Sequence, residues 1–247
     1  MQTAPGPPGD DLSRYPRPSV AADLAIFTIV LAERTGKRGH RQLPDAQLRV
    51  LLVRRAQAPF AGQWALPGGF VHPDETLEGA AARELQEETG LADLPLHHLR
   101  NYSQPGRDPR GWVLSSTYCA LVESSRLSIV GGADAADAGW RDVGQALELD
   151  MAFDHRTILA DALAWVRHQV RTTLAIRAFL PETFVLAELY GMLKAVVPTY
   201  REEPPNFRRK VSGRGIIAPA GGMEARYSQR PAQLFRFTGE APELSVF

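Results

Sequence analysis

The sequence predicts an α/β chain in two parts, and three observations carry that reading. Two apolar, β-branched runs, LAIFTIVLA within residues 22–33 and LRVLLVRR over 48–55, have the unbroken apolar character of strands covered on both faces. From Thr76 to Thr89, Leu77, Ala81 and Leu85 recur at the spacing of an amphipathic helix. Past Pro181 the pattern becomes helix, turn, basic helix and two short strands. At 247 residues the chain has room for one large domain or two ordinary ones.

Residues 1–19 hold Pro5, Pro7, Pro8, Pro16 and Pro18 and are expected to be disordered or loosely held, without chemistry. The polar loop RTGKRGHRQLPD joins the two apolar runs, and His40 within it reads as solvated. Arg54 and Arg55 end the second strand, where one of them touches a phosphate or both simply close the strand with surface charge. PFAGQWALPGGF is turn-rich and delivers the chain to the helix; His72, just beyond it, is another lone loop histidine.

The helix carries the chemistry. Ala80 to Ala82 favour it and Gly90 stops it. Glu84, Glu87 and Glu88 stand at i, i+3 and i+4, so three carboxylates share one turn, with Arg83 beside them. A hard divalent cation relieves that repulsion, because Mg²⁺ takes oxygen ligands and keeps positions for water and phosphate. A solvated acidic face usually interleaves more Lys or Arg than this one does.

Gly69, Glu75, Arg83-Glu84-Leu85, Glu87-Glu88 and Gly90-Leu91 together form the spacing Gly-x5-Glu-x7-Arg-Glu-aliphatic-x-Glu-Glu-x-Gly-aliphatic. That segment resembles the Nudix hydrolase family. The resemblance implies an α/β/α sandwich with a mixed sheet and hydrolysis of a nucleoside diphosphate linked to another group. It implies Mg²⁺ or Mn²⁺ held by Glu84, Glu87 and Glu88 beside Gly69, and a brace between Arg83 and Glu75.

Further on, LHHLRNYSQ and WVLSSTYCALV read as strands around the loop QPGRDPRG. Arg107 and Arg110, beside Trp112 and Tyr102, make a patch for a diphosphate and a stacking base, or else carry charge for solubility. Cys119, the one cysteine, lies in an apolar run and reads as a buried small hydrophobe. Asp134 and Asp137 precede Trp140, in a region where Nudix enzymes sometimes supply another acid. From Asp154, Ile158, Leu159, Ala162, Leu163, Val166 and Val170 keep helical spacing up to Pro181. Asp154 or Thr157 caps the start, and an N-cap role suits Asp154 better than a catalytic pair with His155.

The second part begins with Glu182–Val197, a helix with Phe184, Leu186, Leu189, Leu193 and Val196 inward. Pro204 or Pro205 suits the first turn of the next helix, where Arg208, Arg209 and Lys210 follow Asn206. IIAPAG and RPAQLFRF then close a hairpin. Helix, turn, basic helix and hairpin is the order of a winged helix-turn-helix. The net charge of zero hides an asymmetry: residues 1–170 carry 17 Lys and Arg against 21 Asp and Glu, and 171–247 carry 11 against 7. The basic end fits phosphate contact, with Arg226, Arg230 or Arg236 near the wing. The expected divisions are 1–19, a Nudix domain at 20–155, a linker helix at 156–180 and the winged helix at 181–247.

The AFDHRTIL, ELYGMLKAV, NFRRK and RPAQLFRF segments, in this order behind the Nudix box, are similar to the Nudix-related transcriptional regulators of NAD metabolism. The resemblance covers nearly all of residues 20–240. It implies that Asn206, Arg208, Arg209, Lys210 and Arg230 contact double-stranded operator DNA, that ADP-ribose or a related dinucleotide is sensed, and that a homodimer meets a palindromic site. Members often carry an eroded Nudix box, whereas every motif carboxylate stands here, which implies retained hydrolysis of ADP-ribose to AMP and ribose 5-phosphate. Glu88 or Glu87 is then the general base. The alternative is an ADP-ribose or nucleoside-diphosphate-sugar pyrophosphatase whose C-terminal part serves dimerisation or interaction alone. No apolar run approaches the roughly 18 residues of a membrane span and no signal peptide is legible, so a cytoplasmic protein is expected.

Overall fold

The computed structural model describes residues 12–32, 45–127, 138–226 and 230–239. Its first unit is built on β1 (Ser19–Ala32), β2 (Asp45–Arg54), β3 (Trp64–Ala65), β4 (Gly68–Phe70), α1 (Leu77–Thr89), β5 (His97–Tyr102), β6 (Val113–Glu123), β7 (Ala138–Asp142), α2 (Val143–Glu148) and α3 (His155–Thr172). A mixed seven-stranded sheet runs β3-β2-β1-β6-β5, with β4 on β1 and β7 on β2; β1 and β6 pair in parallel and the other described strand pairs are antiparallel.

The period-two alternation of β1 decides what covers each face. Ala22, Leu24 and Ile26 pack with Ala80, Ala81 and Leu85 of α1. Ala25, Phe27 and Ile29 turn the other way, onto the Ile158, Leu159, Ala162, Leu163, Val166 and Val170 stripe of α3. The central apolar run thus lies between two helical layers, as expected.

The remaining elements are β8 (Phe184–Val185), α4 (Leu186–Val196), α5 (Pro204–Gly213), β9 (Ile217–Glu224) and β10 (Ala232–Phe237), with the three strands in the order β8-β10-β9. Leu189, Leu193 and Val196 of α4 join the core that also holds Val50 and Leu52 of β2, so the C-terminal unit packs on the sheet through continuous apolar surface.

Several expectations change. The proline-bearing segment lies partly outside the described residues, but Leu12–Arg14 form a short 3-10 turn and β1 begins at Ser19. β7 and α2 were not legible as elements. The long helix ends at Thr172, where the Thr173 amide still donates to the Gln169 carbonyl but the Thr173 backbone turns extended, and a 3-10 turn at Ala175–Phe179 lies before Pro181. Phe184 and Val185, read as helix, pair instead with Phe235 and Leu234, because the sheet needs a third strand to bury Phe184. No helix among the described residues is long and apolar enough to cross a membrane.

Candidate active site and nucleic-acid interface

Thr76 caps α1 by accepting from the Gly79 amide at 3.0 Å, and Gly90 ends it at φ 70. The Glu75–Arg83 brace forms: Arg83 Nη2 and Nε donate to Glu75 at 2.9 and 3.2 Å, and the His72 amide adds a third donor at 2.8 Å. The Arg83 guanidinium, then the His72 amide, push the Glu75 carboxyl down to about 2. Arg83 Nη1 reaches Glu84 at 2.6 Å and lies 3.5 Å from Glu87. A Cβ at Gly69 would stand 2.1 Å from Glu84 Oε1, so a larger residue there would displace the Glu84 carboxylate.

Glu84 is buried, Glu88 half-buried and Glu87 exposed. Burial first, then the anions of Glu84 and Glu87, raise the Glu88 carboxyl above its ordinary value. Arg83 therefore balances one side of the cluster and leaves Glu88 on the strained side. Among the described residues no three acidic or imidazole groups already converge on a metal position; Glu84 is turned toward Arg83. The donor set itself, hard carboxylate oxygens with excess negative charge, suits a divalent cation.

Beside this turn, across Gly68 and Gly69, opens a cavity of about 200 Å³ lined by Asp23, Arg55, Phe70, Arg107, Asp108, Arg110, Phe153 and His155 among others. Phe153 adopts φ 55, unusual for a bulky residue. Its ring has the Arg55 guanidinium at 4.7 Å and that of Arg110 at 5.3 Å, and Arg110 also lies 5.1 Å from the Phe70 ring. Burial, then the Arg110 charge, lower the Arg55 pKa. Asp108 holds Arg110 through two oxygens at 3.0 and 2.7 Å.

The expected sites sort unequally. Arg55 and Arg110 reach the cavity; Arg54 is exposed and donates to the Gly62 carbonyl at 2.9 Å. Arg107 lines the cavity but is fixed by Asp154 at 2.9 and 2.6 Å, with Asp23 at 3.7 Å. Its side chain is only 5 % exposed, so it needs those carboxylates to offset burial and is a brace rather than an open phosphate contact. For the same reason Asp154 stands at the start of α3 without capping it through its side chain. Tyr102 is also withdrawn, donating to Asp161 at 2.9 Å, and Trp112 stays on the surface. Asp134, Asp137 and His40 lie outside the described residues.

Asp23, Asp108 and Phe153 line the cavity without having been singled out, and His155, weighed only as a catalytic partner of Asp154, lines it too. Asp23 could have been suspected as a carboxylate within an otherwise largely apolar strand; Asp108 and Phe153 announce nothing locally. His155 Nδ1 accepts from the Leu66 amide at 2.9 Å, Nε2 faces Asp23 at 3.8 Å, and burial lowers its pKa, favouring neutral imidazole. Cys119 is fully buried and its thiol is pushed up to about 12 by that burial.

In the C-terminal unit Phe207 and Val211 bury one side of α5, while Asn206, Arg208 and Arg209 are exposed. Tyr190 and Tyr200 pack edge-on to Phe207 at 5.1 and 6.3 Å and set the helix on α4. Lys210, expected among the DNA contacts, pairs with Glu202 at 3.3 Å, being on the half-buried flank. Arg226 is likewise engaged, with buried Glu188 at 2.9 Å and Glu224 at 2.8 Å, and so braces the wing. Arg230 and Arg236 are exposed at either end of β10.

Residues 38–162 match the family described as NUDIX domain, and residues 176–237 the one described as NrtR DNA-binding winged helix domain. The chain is 32 % identical to the ADPR responsive transcriptional repressor NtrR of Acinetobacter baylyi, over 91 % of this chain and 84 % of that protein. It is 43 % identical to the ADP-ribose pyrophosphatase of Methanocaldococcus jannaschii over 47 % of this chain and 67 % of that one. The fold is similar to Shewanella oneidensis NrtR complexed with a 27mer DNA, with a TM-score of 0.72 and 28 % identity over 89 % of this chain and 93 % of the other.

Proposed function

The chain belongs to the Nudix family and joins its Nudix domain to an NrtR-type winged helix, and from that premise we propose that it is a transcriptional repressor of NAD-metabolism genes that binds operator DNA and responds to ADP-ribose. The observation that carries the reading is the similarity to an ADPR responsive repressor along 91 % of the chain, through both units. A DNA-binding role supports a cytoplasmic location, and a homodimer on a palindromic site suits a regulator of this kind.

Arg55 and Arg110 are the diphosphate contacts. Both guanidinium groups line one cavity around Phe153, and an anion between them offsets the burial and, second, the Arg110 charge that lower the Arg55 pKa. Arg107, Asp154 and Asp23 keep the wall of that cavity in place. The exposed face of α5, with Asn206, Arg208 and Arg209, is the DNA contact, and Arg230 adds a cation beside the wing.

The same domain hydrolyses ADP-ribose to AMP and ribose 5-phosphate. Glu84, Glu87 and Glu88 would hold Mg²⁺ or Mn²⁺ beside Gly69; once bound, such an ion lowers the pKa of water and neutralises diphosphate charge. Glu88 takes the proton of the attacking water, since its raised pKa suits a general base better than that of an ordinary carboxylate. Arg83 and Glu75 hold the loop that presents Gly69 to the substrate.

A gel shift with DNA from upstream of NAD-biosynthesis genes, with and without ADP-ribose, tests both domains. Retention that falls steeply with salt and is relieved by ADP-ribose is expected. Failure to bind any duplex at low salt, alongside metal-dependent release of AMP, would leave a pyrophosphatase with an accessory domain, a reading favoured by the 43 % identity to one.

A further inference from the structure

The outward face of α5 has a defined chemical polarity. At about 100° per residue the direction opposite the buried Phe207 and Val211 is the one taken by Arg209. Asn206 lies to one side of it and Ser212 to the other, with Gly213 close by; all are exposed. Arg208 sits toward the flank, and Lys210 is turned to Glu202. Small residues beside Arg209 let a groove wall approach closely.

Arg209 Nη2 donates to Asn206 Oδ1 at 3.1 Å. A guanidinium has donors alone, and this bond engages the carbonyl oxygen of the Asn206 amide and not its NH₂, which is itself a donor. The centre of the face therefore offers donors. In the major groove guanine presents two acceptors, N7 and O6, side by side; adenine pairs N7 with an N6 donor that asks for an acceptor in return.

Resting on the regulator reading, we propose that Arg209 sets the base specificity of this protein by reading guanine. Asn206 is its positioning residue, and Arg208 contacts the phosphate backbone. The operator half-site then carries a fixed guanine under the middle of α5, and adenine at that position is selected against.

The test is selection from randomised duplexes by the full-length chain, followed by affinities for the best site and its single-base variants. The parent protein fixes one guanine per half-site, and replacing that base weakens binding roughly 10- to 100-fold. Arg209→Lys keeps the charge without the fork, so it loses the guanine preference while retaining its salt dependence. Asn206→Ala reduces the preference, and Asn206→Asp, which keeps an acceptor for Arg209, restores it. Arg208→Ala weakens all sequences alike and lowers the salt slope by about 1. A selected site without a fixed guanine, or an Arg209→Lys protein with the parent's base preference, would overturn the proposal while leaving the regulator reading intact. Absence of binding to any duplex at low salt would remove the regulator reading itself.

Discussion

Arg107→Leu separates a structural cation from a ligand contact. Arg107 meets Asp154 at 2.6 and 2.9 Å and Asp23 at 3.7 Å, with side-chain exposures of 5 % for Arg107, 23 % for Asp154 and 9 % for Asp23. Removing one partner of a buried pair costs about 3–5 kcal/mol, because the other charge stays in the interior. Asp154 keeps some contact with solvent, which points to the lower end, about 3 kcal/mol. For a chain of this size each kcal/mol moves Tm by about 2–4 °C, so a fall of about 6–12 °C is expected in a thermal melt at pH 7. The double replacement Arg107→Leu with Asp154→Leu should recover much of it, since neither charge remains unpaired. A single variant melting within about 2 °C of the parent, yet unable to bind ADP-ribose in a titration, would refute the brace and make Arg107 a phosphate contact.

Glu88→Gln should cut turnover of ADP-ribose by about 10²–10⁴-fold while calorimetric binding of ADP-ribose persists; undiminished turnover would exclude Glu88 as the base. The same variant should melt higher at pH 7, because the parent must ionise a carboxyl whose folded pKa is raised. Glu75 has the opposite sign: its folded pKa is depressed to about 2 from 4.5, so its contribution is present above pH 4.5 and is lost as pH falls toward 2. Melts of Glu75→Gln should accordingly lose part of the parent's acid dependence in that window, and parallel curves would count against the Arg83 brace. Glu188→Ala leaves the Val185 amide without its 2.8 Å acceptor and takes one of the two carboxylates from Arg226. A loss of about 1–3 kcal/mol and weaker DNA retention are expected, the wing having lost its anchor; unchanged DNA affinity would show that the wing is not held this way.

The legible parts of this protein are those written in consecutive or periodic residues. The three glutamates of one helical turn follow from spacing alone, whereas the Arg83–Glu75 brace is implied by the Nudix resemblance and not by spacing. The buried stripe of α3 needs no tertiary information beyond the presence of a core. Two-residue elements such as β3 and β8 were not legible, since a strand that short has no period to detect and exists through its partner. Phe153 was equally hidden: its positive φ follows from the tight connection into α3, not from any preference of phenylalanine.

By itself the sequence determined the carboxylate cluster on α1, the order of the two units and the basic character of α5, because helical geometry converts spacing into adjacency within a turn. Tertiary structure alone decided which cations are available. Arg107 and Asp154 are 47 positions apart and meet only because the loop before β6 folds over the start of α3. That contact ties one arginine of the cavity wall to carboxylates, while Arg55 and Arg110 also line the cavity. A guanidinium shut away from water must find a carboxylate, and only the folded chain determines which side chains are shut away.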